Sequence, residues 1–142
     1  MAAVRDLGYY CGLVTGNLEE IAYIKLDHYH LTQFFADHVG GFGSDHRDRV
    51  ELIRIAIQRA AQVGFHCAGQ NVIYIADTPL DVHAARGAGV HCVITTTGIF
   101  RRGDFVANPP DLVVDDLSHQ AEIFNYVDEL QASTIRTRES II

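Results

Sequence analysis

The sequence is poor in basic residues and has no long apolar run. Its 142 residues include 11 lysines and arginines against 18 aspartates and glutamates, which gives a formal charge of -7 at pH 7. Nucleic-acid binding is therefore not expected, because phosphate backbones are bound by clustered basic side chains. No apolar segment approaches the roughly 18–20 residues of a membrane span, so a membrane is not a predicted partner either.

Cysteines are also few, and their number and spacing indicate whether the protein's compartment is reducing or oxidising. Cys11, Cys67 and Cys92 are far apart, and no C-x-x-C pair occurs. An odd number of separated cysteines in or near apolar runs is typical of buried thiols in a reducing compartment. The first residues do not have the pattern of a secretory signal, so we expect a cytoplasmic protein.

Short apolar runs alternate with helical patterns along the whole chain. Apolar runs bounded by glycine or polar residues predict buried strands, for example over residues 11–16 and 72–76. Amphipathic periods between them predict helices, including one over residues 79–88. This alternation predicts an α/β fold with a mainly parallel sheet and helices on both faces. We expect one domain over residues 1–131 and a flexible tail over residues 132–142.

Two aspartates follow the predicted strand over residues 72–76. Asp77 ends the strand, and Asp81 lies in the first turn of the next helix. Two converging carboxylates repel each other unless a cation relieves the repulsion, and Mg²⁺ prefers oxygen ligands of this kind. The spacing leaves an alternative equally open, in which Asp77 forms the turn and Asp81 compensates the helix dipole.

A second candidate segment lies at the end of an earlier predicted strand. Thr15, Gly16 and Asn17 could present a hydroxyl and backbone N–H groups to an anion, although Asn17 could simply cap the next helix. Arg49 begins the most strongly predicted helix and could stabilise phosphoryl charge, or could be an ordinary surface residue, as Lys25 is expected to be. Ligands of open α/β sheets bind beyond the carboxyl ends of the strands. The turn and the two aspartates are therefore candidates for one site.

Taken in order, the segments LVTGN, GGFGSDHRDRVELIRIAIQRA and IADTPLDVHAARGAGVHCVITTTG resemble the haloacid dehalogenase superfamily of hydrolases. Within it they are most similar to the phosphoglycolate-phosphatase-type branch, over residues 12–117. The resemblance implies a Rossmann-like three-layer α/β/α sandwich. It also implies a hydrolase that uses Mg²⁺ and acts on a small phosphorylated metabolite.

The resemblance gives each candidate residue a role. Thr15 corresponds to the family's phosphate-binding hydroxyl, with Gly16 and Asn17 beside it in the same turn. Arg49 takes the position of the basic catalytic residue that also binds phosphate. The two aspartates correspond to the magnesium-binding acids of the family.

One family motif does not occur in the 142 residues. In the family a D-x-D motif, which supplies the nucleophilic aspartate, precedes the segment corresponding to LVTGN, and this sequence has no D-x-D. The resemblance places the strand of that motif between the strands that end at Thr15 and at residue 76. We therefore expect little or no turnover by this chain and a sheet without its first central strand. The two strands could pair directly, accept an edge from another copy, or need an upstream segment.

Two other interpretations of the sequence stay open. A non-catalytic Rossmann-like module could act through protein association, for example as a homo-oligomer formed at exposed sheet edges. A receiver-like domain phosphorylated on Asp77 would need a further acidic pair at an earlier strand end, where the sequence offers only Asp6.

Overall fold

The computed structural model describes residues 8–65 and 68–139. The chain divides into two compact units, Met1–Ala68 and Gly69–Ile142, where one domain over residues 1–131 was predicted. The division follows from the strands, which form two separate sheets. Within each sheet every strand pair is parallel, so the predicted α/β class with parallel strands is confirmed.

The first unit contains a two-stranded sheet and two helices. Its elements, in chain order, are β1 (Cys11–Thr15), α1 (Glu19–His28), a short 3-10 helix (Thr32–Phe34), β2 (Phe35–Phe42) and α2 (Arg49–Gln62). Leu13 pairs with Gly40, and Thr15 pairs with Phe42, so β1 and β2 end at the same edge of the sheet. This edge carries the turn that was predicted to bind an anion.

Helix α2 packs closely on the end of strand β2. Leu52 and Ile53 on this helix are buried. A Cβ atom on Gly41 would lie 2.0 Å from the carbonyl oxygen of Leu52, so only glycine allows the helix to approach this part of the strand. The helix begins as its sequence predicts, because the side chain of Asp48 accepts a hydrogen bond of 2.9 Å from the backbone N–H of Val50.

An ion pair joins α2 to the loop that precedes it. The guanidinium of Arg59 donates to both carboxylate oxygens of Asp45, at 2.7 and 2.8 Å, and to the carbonyl oxygen of Gly40 at 2.9 Å. Asp45 also accepts from the backbone N–H of Phe42 at 2.9 Å. Because the Arg59 guanidinium holds its charged form, the pKa of Asp45 is lowered. The pair therefore fixes the connection between β2 and α2.

The second unit contains a three-stranded sheet in the order β3-β4-β5. Its elements, in chain order, are a 3-10 helix (Gly69–Asn71), β3 (Ile73–Ala76), α3 (Pro79–Ala88), β4 (His91–Thr95), a second 3-10 helix (Arg102–Phe105), β5 (Leu112–Val114) and α4 (Gln120–Glu139). The central strand β4 is the most buried, and Val93 and Ile94 are fully inaccessible. Burial on both faces explains why this strand reads as a continuous apolar run.

Helix α3 has the bounds that its sequence predicts. Pro79 occupies the first turn, where its missing N–H costs no hydrogen bond. The helix ends at Gly89, which has φ of +72°, a conformation that glycine adopts without the strain other residues incur. Helix α4, by contrast, continues to Glu139, well into the segment predicted as a flexible tail. No proline or glycine lies between Gln120 and Glu139, so no strong helix breaker ends the helix at the predicted position.

Strand β1 belongs to the sheet of the first unit and β3 to the sheet of the second, and each is an edge strand among the described residues. How the lack of a central strand is met stays a prediction, with direct pairing, an edge from another copy and an upstream segment as its three outcomes. Within the described residues, no helix combines the length and apolar character that a membrane span requires.

Replacement of Asp45 by asparagine should lower the free energy of unfolding at pH 7 by about 1–3 kcal/mol, the range for hydrogen bonds to charged groups. The lowered pKa of Asp45 means that its contribution is complete above its unfolded pKa of about 4. That contribution is lost as the pH falls through the folded pKa. Urea unfolding at pH 7 and at successively lower pH should therefore show the wild-type advantage shrinking. Asp27→Asn, at an exposed site on α1, is the control. An equal loss at every pH would contradict the ion pair.

Candidate functional site

At the carboxyl ends of β1 and β2, two turns pack directly against each other. The backbone N–H of Gly43 donates to the carbonyl oxygen of Asn17 at 2.8 Å. A Cβ atom on Gly43 would lie 2.1 Å from the carbonyl oxygen of Gly16, so a side chain at this position would force the turns apart. The turn over residues 15–17 and the start of the loop to α2 therefore form one surface.

The hydroxyl of Thr15 organises the first of these turns. Its oxygen accepts from the backbone N–H of Asn17 at 3.2 Å and from the Asn17 side-chain amide at 2.8 Å. The predicted role of Asn17 as the cap of α1 is therefore wrong: the cap position is Leu18, and no side chain caps it. Since Thr15 accepts both bonds, its own hydroxyl proton is not used in them and could be donated to an anion.

Lys25 also reaches this turn, although the sequence placed it simply on the helix surface. Its ammonium group donates to the side-chain oxygen of Asn17 at 3.1 Å. Side chains on a helix lean towards its amino terminus, so a long side chain two turns along can reach back to the turn before the helix. This direction of helix side chains is the one sequence signal that could have predicted a cation at the turn over residues 15–17.

Arg49, the third candidate in this unit, is the first residue of α2 and is partly buried. It follows the loop that Asp45 and Arg59 hold, and Gly43 joins this loop to the turn at Thr15. The structure thus brings Thr15, Gly16 and Asn17 together in one turn. It places Arg49 at the far end of the adjoining loop.

The two aspartates lie in the second unit, in very different surroundings. Asp81 is 1% exposed, and both of its oxygens accept hydrogen bonds. One accepts from the hydroxyl of Tyr74 at 3.1 Å; the other accepts from the Thr78 backbone N–H at 3.1 Å and from the Thr78 hydroxyl at 2.7 Å. The Thr78 hydroxyl oxygen in turn accepts from the backbone N–H of Asp81 at 3.3 Å, which completes a capping box at the start of α3.

Asp77 is exposed at the carboxyl end of β3. Its carboxylate lies beside Gly98, in the loop that follows β4: a Cβ atom on Gly98 would be 2.8 Å from Asp77 Oδ2. Sequence reasoning missed this contact, since the two residues are distant in the chain. Of the two predicted metal ligands, Asp77 has the carboxylate that an ion from solvent could reach. The hydrogen bonds of Asp81 fit the helix-start alternative.

The other metal-ligating and nucleophilic side chains do not form a competing site. Among residues 8–65 and 68–139, no group of three or more histidine, cysteine, aspartate or glutamate side chains converges. Burial raises the pKa of the Cys92 thiol to about 12, so it is uncharged and a poor nucleophile near neutral pH. Cys11 is half-buried, and burial raises its pKa as well. Cys67 lies outside the described residues.

Comparison with known proteins gives a consistent set of relatives. A family model described as HAD-hydrolase-like matches residues 51–120. The chain is 29% identical over 114 residues to a phosphoglycolate phosphatase of Pseudomonas putida, an alignment that covers 80% of this chain and 40% of that protein. The chain therefore spans well under half the length of this curated relative.

Two solved structures have a similar fold. A protein of Bacteroides fragilis described as a haloacid dehalogenase-like hydrolase superposes with a TM-score of 0.71 at 22% identity, over 84% of this chain and 55% of that one. A predicted phosphatase of Clostridium acetobutylicum superposes with a TM-score of 0.73 at 17% identity, over 88% of this chain and 56% of that one. Both likenesses agree with the Rossmann-like fold that the sequence predicted.

Asparagine in place of Asp81 should lower the free energy of unfolding by about 1–3 kcal/mol, because it directs an amide group at buried donors that need an acceptor. The matched change Asp77→Asn should alter it by less than about 0.5 kcal/mol, because that side chain is exposed. Urea unfolding without divalent cations measures both. Equal, small effects would contradict a structural role for the Asp81 carboxylate.

Proposed function

We propose that this chain, which belongs to the haloacid dehalogenase superfamily of hydrolases, provides the phosphate- and metal-binding part of a Mg²⁺-dependent phosphohydrolase. The observation that carries the proposal is the contrast between the two aspartates. The buried Asp81 is fully engaged in holding the start of α3, while Asp77 stands exposed at the carboxyl end of β3. That end of a parallel strand is where α/β enzymes bind their ligands.

The residues present fit a magnesium ion through Asp77. Mg²⁺ keeps several waters and is usually held by one or two carboxylates together with substrate phosphate, so a single exposed carboxylate suffices on the protein side. When bound, the ion would neutralise phosphate charge and orient the phosphoryl group. Asp81 would hold the turn that carries Asp77, and its oxygens, already bonded to Tyr74 and Thr78, favour this over direct ligation.

The first unit would bind the phosphate. The Thr15 hydroxyl has its proton available for a phosphate oxygen, since its own oxygen accepts both bonds from Asn17. Gly16 and Asn17 give the turn its shape, and the guanidinium of Arg49 would stabilise charge on the phosphoryl oxygens as the bond breaks. The superfamily and the phosphoglycolate phosphatase relative both favour a small phosphorylated metabolite as substrate. The cytoplasmic location is proposed from the few, separated cysteines and the first residues of the sequence.

Turnover needs one group more than binding does. Where the superfamily site is complete, an aspartate attacks phosphorus, the leaving group departs, and water hydrolyses the acyl phosphate. That aspartate belongs to a D-x-D motif, which is not present in these 142 residues. We therefore propose that the chain as it stands binds but does not turn over.

A second candidate function is a non-catalytic module that associates through sheet edges, for example with a second copy. The observation in its favour is that β1 and β3 lie in different sheets among the described strands. Unpaired edge groups are ready to pair with another strand. A chain that binds neither divalent cations nor phosphate would favour this function.

Mn²⁺, which can replace Mg²⁺ at oxygen sites, should bind at Asp77 and broaden nearby amide signals of the ¹⁵N-labelled chain. The change Asp77→Asn should weaken this binding at least about tenfold, since a neutral amide replaces the charged ligand. Asp128→Asn, at an exposed site on α4, is the control and should leave the titration unchanged. Broadening that is insensitive to Asp77→Asn would contradict the proposed site.

Hydrolysis of p-nitrophenyl phosphate in the presence of Mg²⁺ should stay at the background rate for this chain, because no nucleophile is available for the covalent step. Release of p-nitrophenolate is followed by absorbance over several protein concentrations. Sustained hydrolysis that scales with the chain and is abolished by Asp77→Ala would overturn the claim that the chain does not turn over.

A further inference from the structure

The loop that follows β4, residues 96–101, forms one wall of the space that holds the Asp77 carboxylate. A Cβ atom built on Gly98 would lie 2.8 Å from Asp77 Oδ2 and 3.6 Å from Asp77 Cγ. Carbon and oxygen atoms do not approach that closely without a shift, so any side chain at position 98 would displace the carboxylate or the loop. Glycine at this position is therefore needed for the present placement of Asp77.

Arg101 holds this loop in position by folding back over it. Its Nη1 atom lies 2.7 Å from the carbonyl oxygen of Gly98, 3.1 Å from that of Phe100 and 3.5 Å from that of Thr96. The backbone N–H of Arg101 also donates to the carboxylate of Asp104, at 2.7 Å. The Arg101 guanidinium thus donates to three carbonyl oxygens of the loop. The shortest of these hydrogen bonds is to Gly98, the residue beside the Asp77 carboxylate.

The other end of the loop is tied to β3 itself. The hydroxyl of Thr95, the last residue of β4, donates to the carbonyl oxygen of Ala76 at 3.5 Å and lies 3.3 Å from the hydroxyl of Thr97. Ala76 immediately precedes Asp77. The loop is therefore linked by a hydrogen bond to strand β3, which Asp77 follows, and its residue Gly98 lies beside the Asp77 carboxylate.

We infer that Gly98 and Arg101 are positioning residues for Asp77: Gly98 leaves the space in which the carboxylate lies, and Arg101 keeps the loop from moving into it. This inference rests on the proposed metal-binding function. A short aspartate side chain on the surface can adopt several rotamers, and an ion gains most from a ligand that is already oriented. Groups that orient a metal ligand typically change metal affinity by about 10–100-fold.

The first test compares two glycines of the same region by Mn²⁺ titration of the ¹⁵N-labelled chain. Gly98→Ala should weaken binding about 10–100-fold, because the new methyl group displaces the carboxylate. Gly103→Ala is the matched control: a Cβ atom there meets nothing within 4 Å, so the affinity should not change. Unchanged affinity in Gly98→Ala would overturn the role of Gly98.

The second test compares two neighbouring arginines. Arg101→Gln should weaken Mn²⁺ binding, and Arg101→Lys should restore part of it, because an ammonium group can still donate to the loop carbonyls. Arg102→Gln is the control, since Arg102 bonds instead to the carboxylate of Asp115 at 2.9 Å and to the carbonyl oxygen of Val113 at 2.9 Å. If both glutamine variants bind Mn²⁺ like the wild type, Arg101 does not position Asp77.

A failure of the proposed metal site and a failure of the positioning role give different results. If Mn²⁺ leaves the signals around Asp77 unchanged in the wild-type chain, the proposed function fails. If the wild type binds through Asp77 while Gly98→Ala and Arg101→Gln bind equally well, only the positioning inference fails. Thermal unfolding without metal distinguishes a loss of fold from a loss of orientation. Should Arg101→Gln unfold, the Gly98→Ala and Gly103→Ala pair decides the result.

Discussion

The start of helix α3 depends on the buried carboxylate of Asp81. It accepts from the hydroxyl of Tyr74 on β3 and from two groups of Thr78 in the turn, and so joins strand, turn and helix. A buried carboxylate without such donors would be strongly unfavourable, so the arrangement must form as a whole. Asp77 lies in the turn between β3 and α3. Its side chain faces solvent because Asp81 accepts the hydrogen bonds that Thr78 donates in this turn.

Local chemistry explains why much of the second unit could be predicted from the sequence. Pro79 restricts φ to a value found in the first turn of a helix, and Gly89 permits the positive φ common just after the last turn, so they indicate the bounds of α3 without reference to the rest of the fold. The roles of Asp77 and Asp81 could not be separated in this way, because one helical turn of spacing suits both a metal site and a cap. The two roles differ because Asp81 is buried and accepts a hydrogen bond from Tyr74, and both features depend on how strand β3 packs.

The remaining differences come from competition between partners and from contacts distant in sequence. Asn17 is of a residue type that often caps helices, but its side-chain oxygen, the group that would cap, accepts from Lys25 instead, and the cap position is Leu18. Gly98 in sequence is one more glycine after a strand, and only the fold brings it beside Asp77. Helix α4 continues into the segment predicted as a flexible tail, where no proline or glycine occurs before Glu139.

Each of the two proposed binding turns is built by contacts within its own unit. Thr15 is oriented by Asn17 in the first, and Asp77 is bounded by Gly98 in the second. Ligand binding can therefore follow from turns that the local sequence forms. Turnover has a different requirement, because positioned charges lower a barrier only for an attack that some nucleophile makes. In the proposed function, binding and turnover are thus separable: the turns at Thr15 and Asp77 would bind phosphate and metal without the carboxylate that attacks phosphorus.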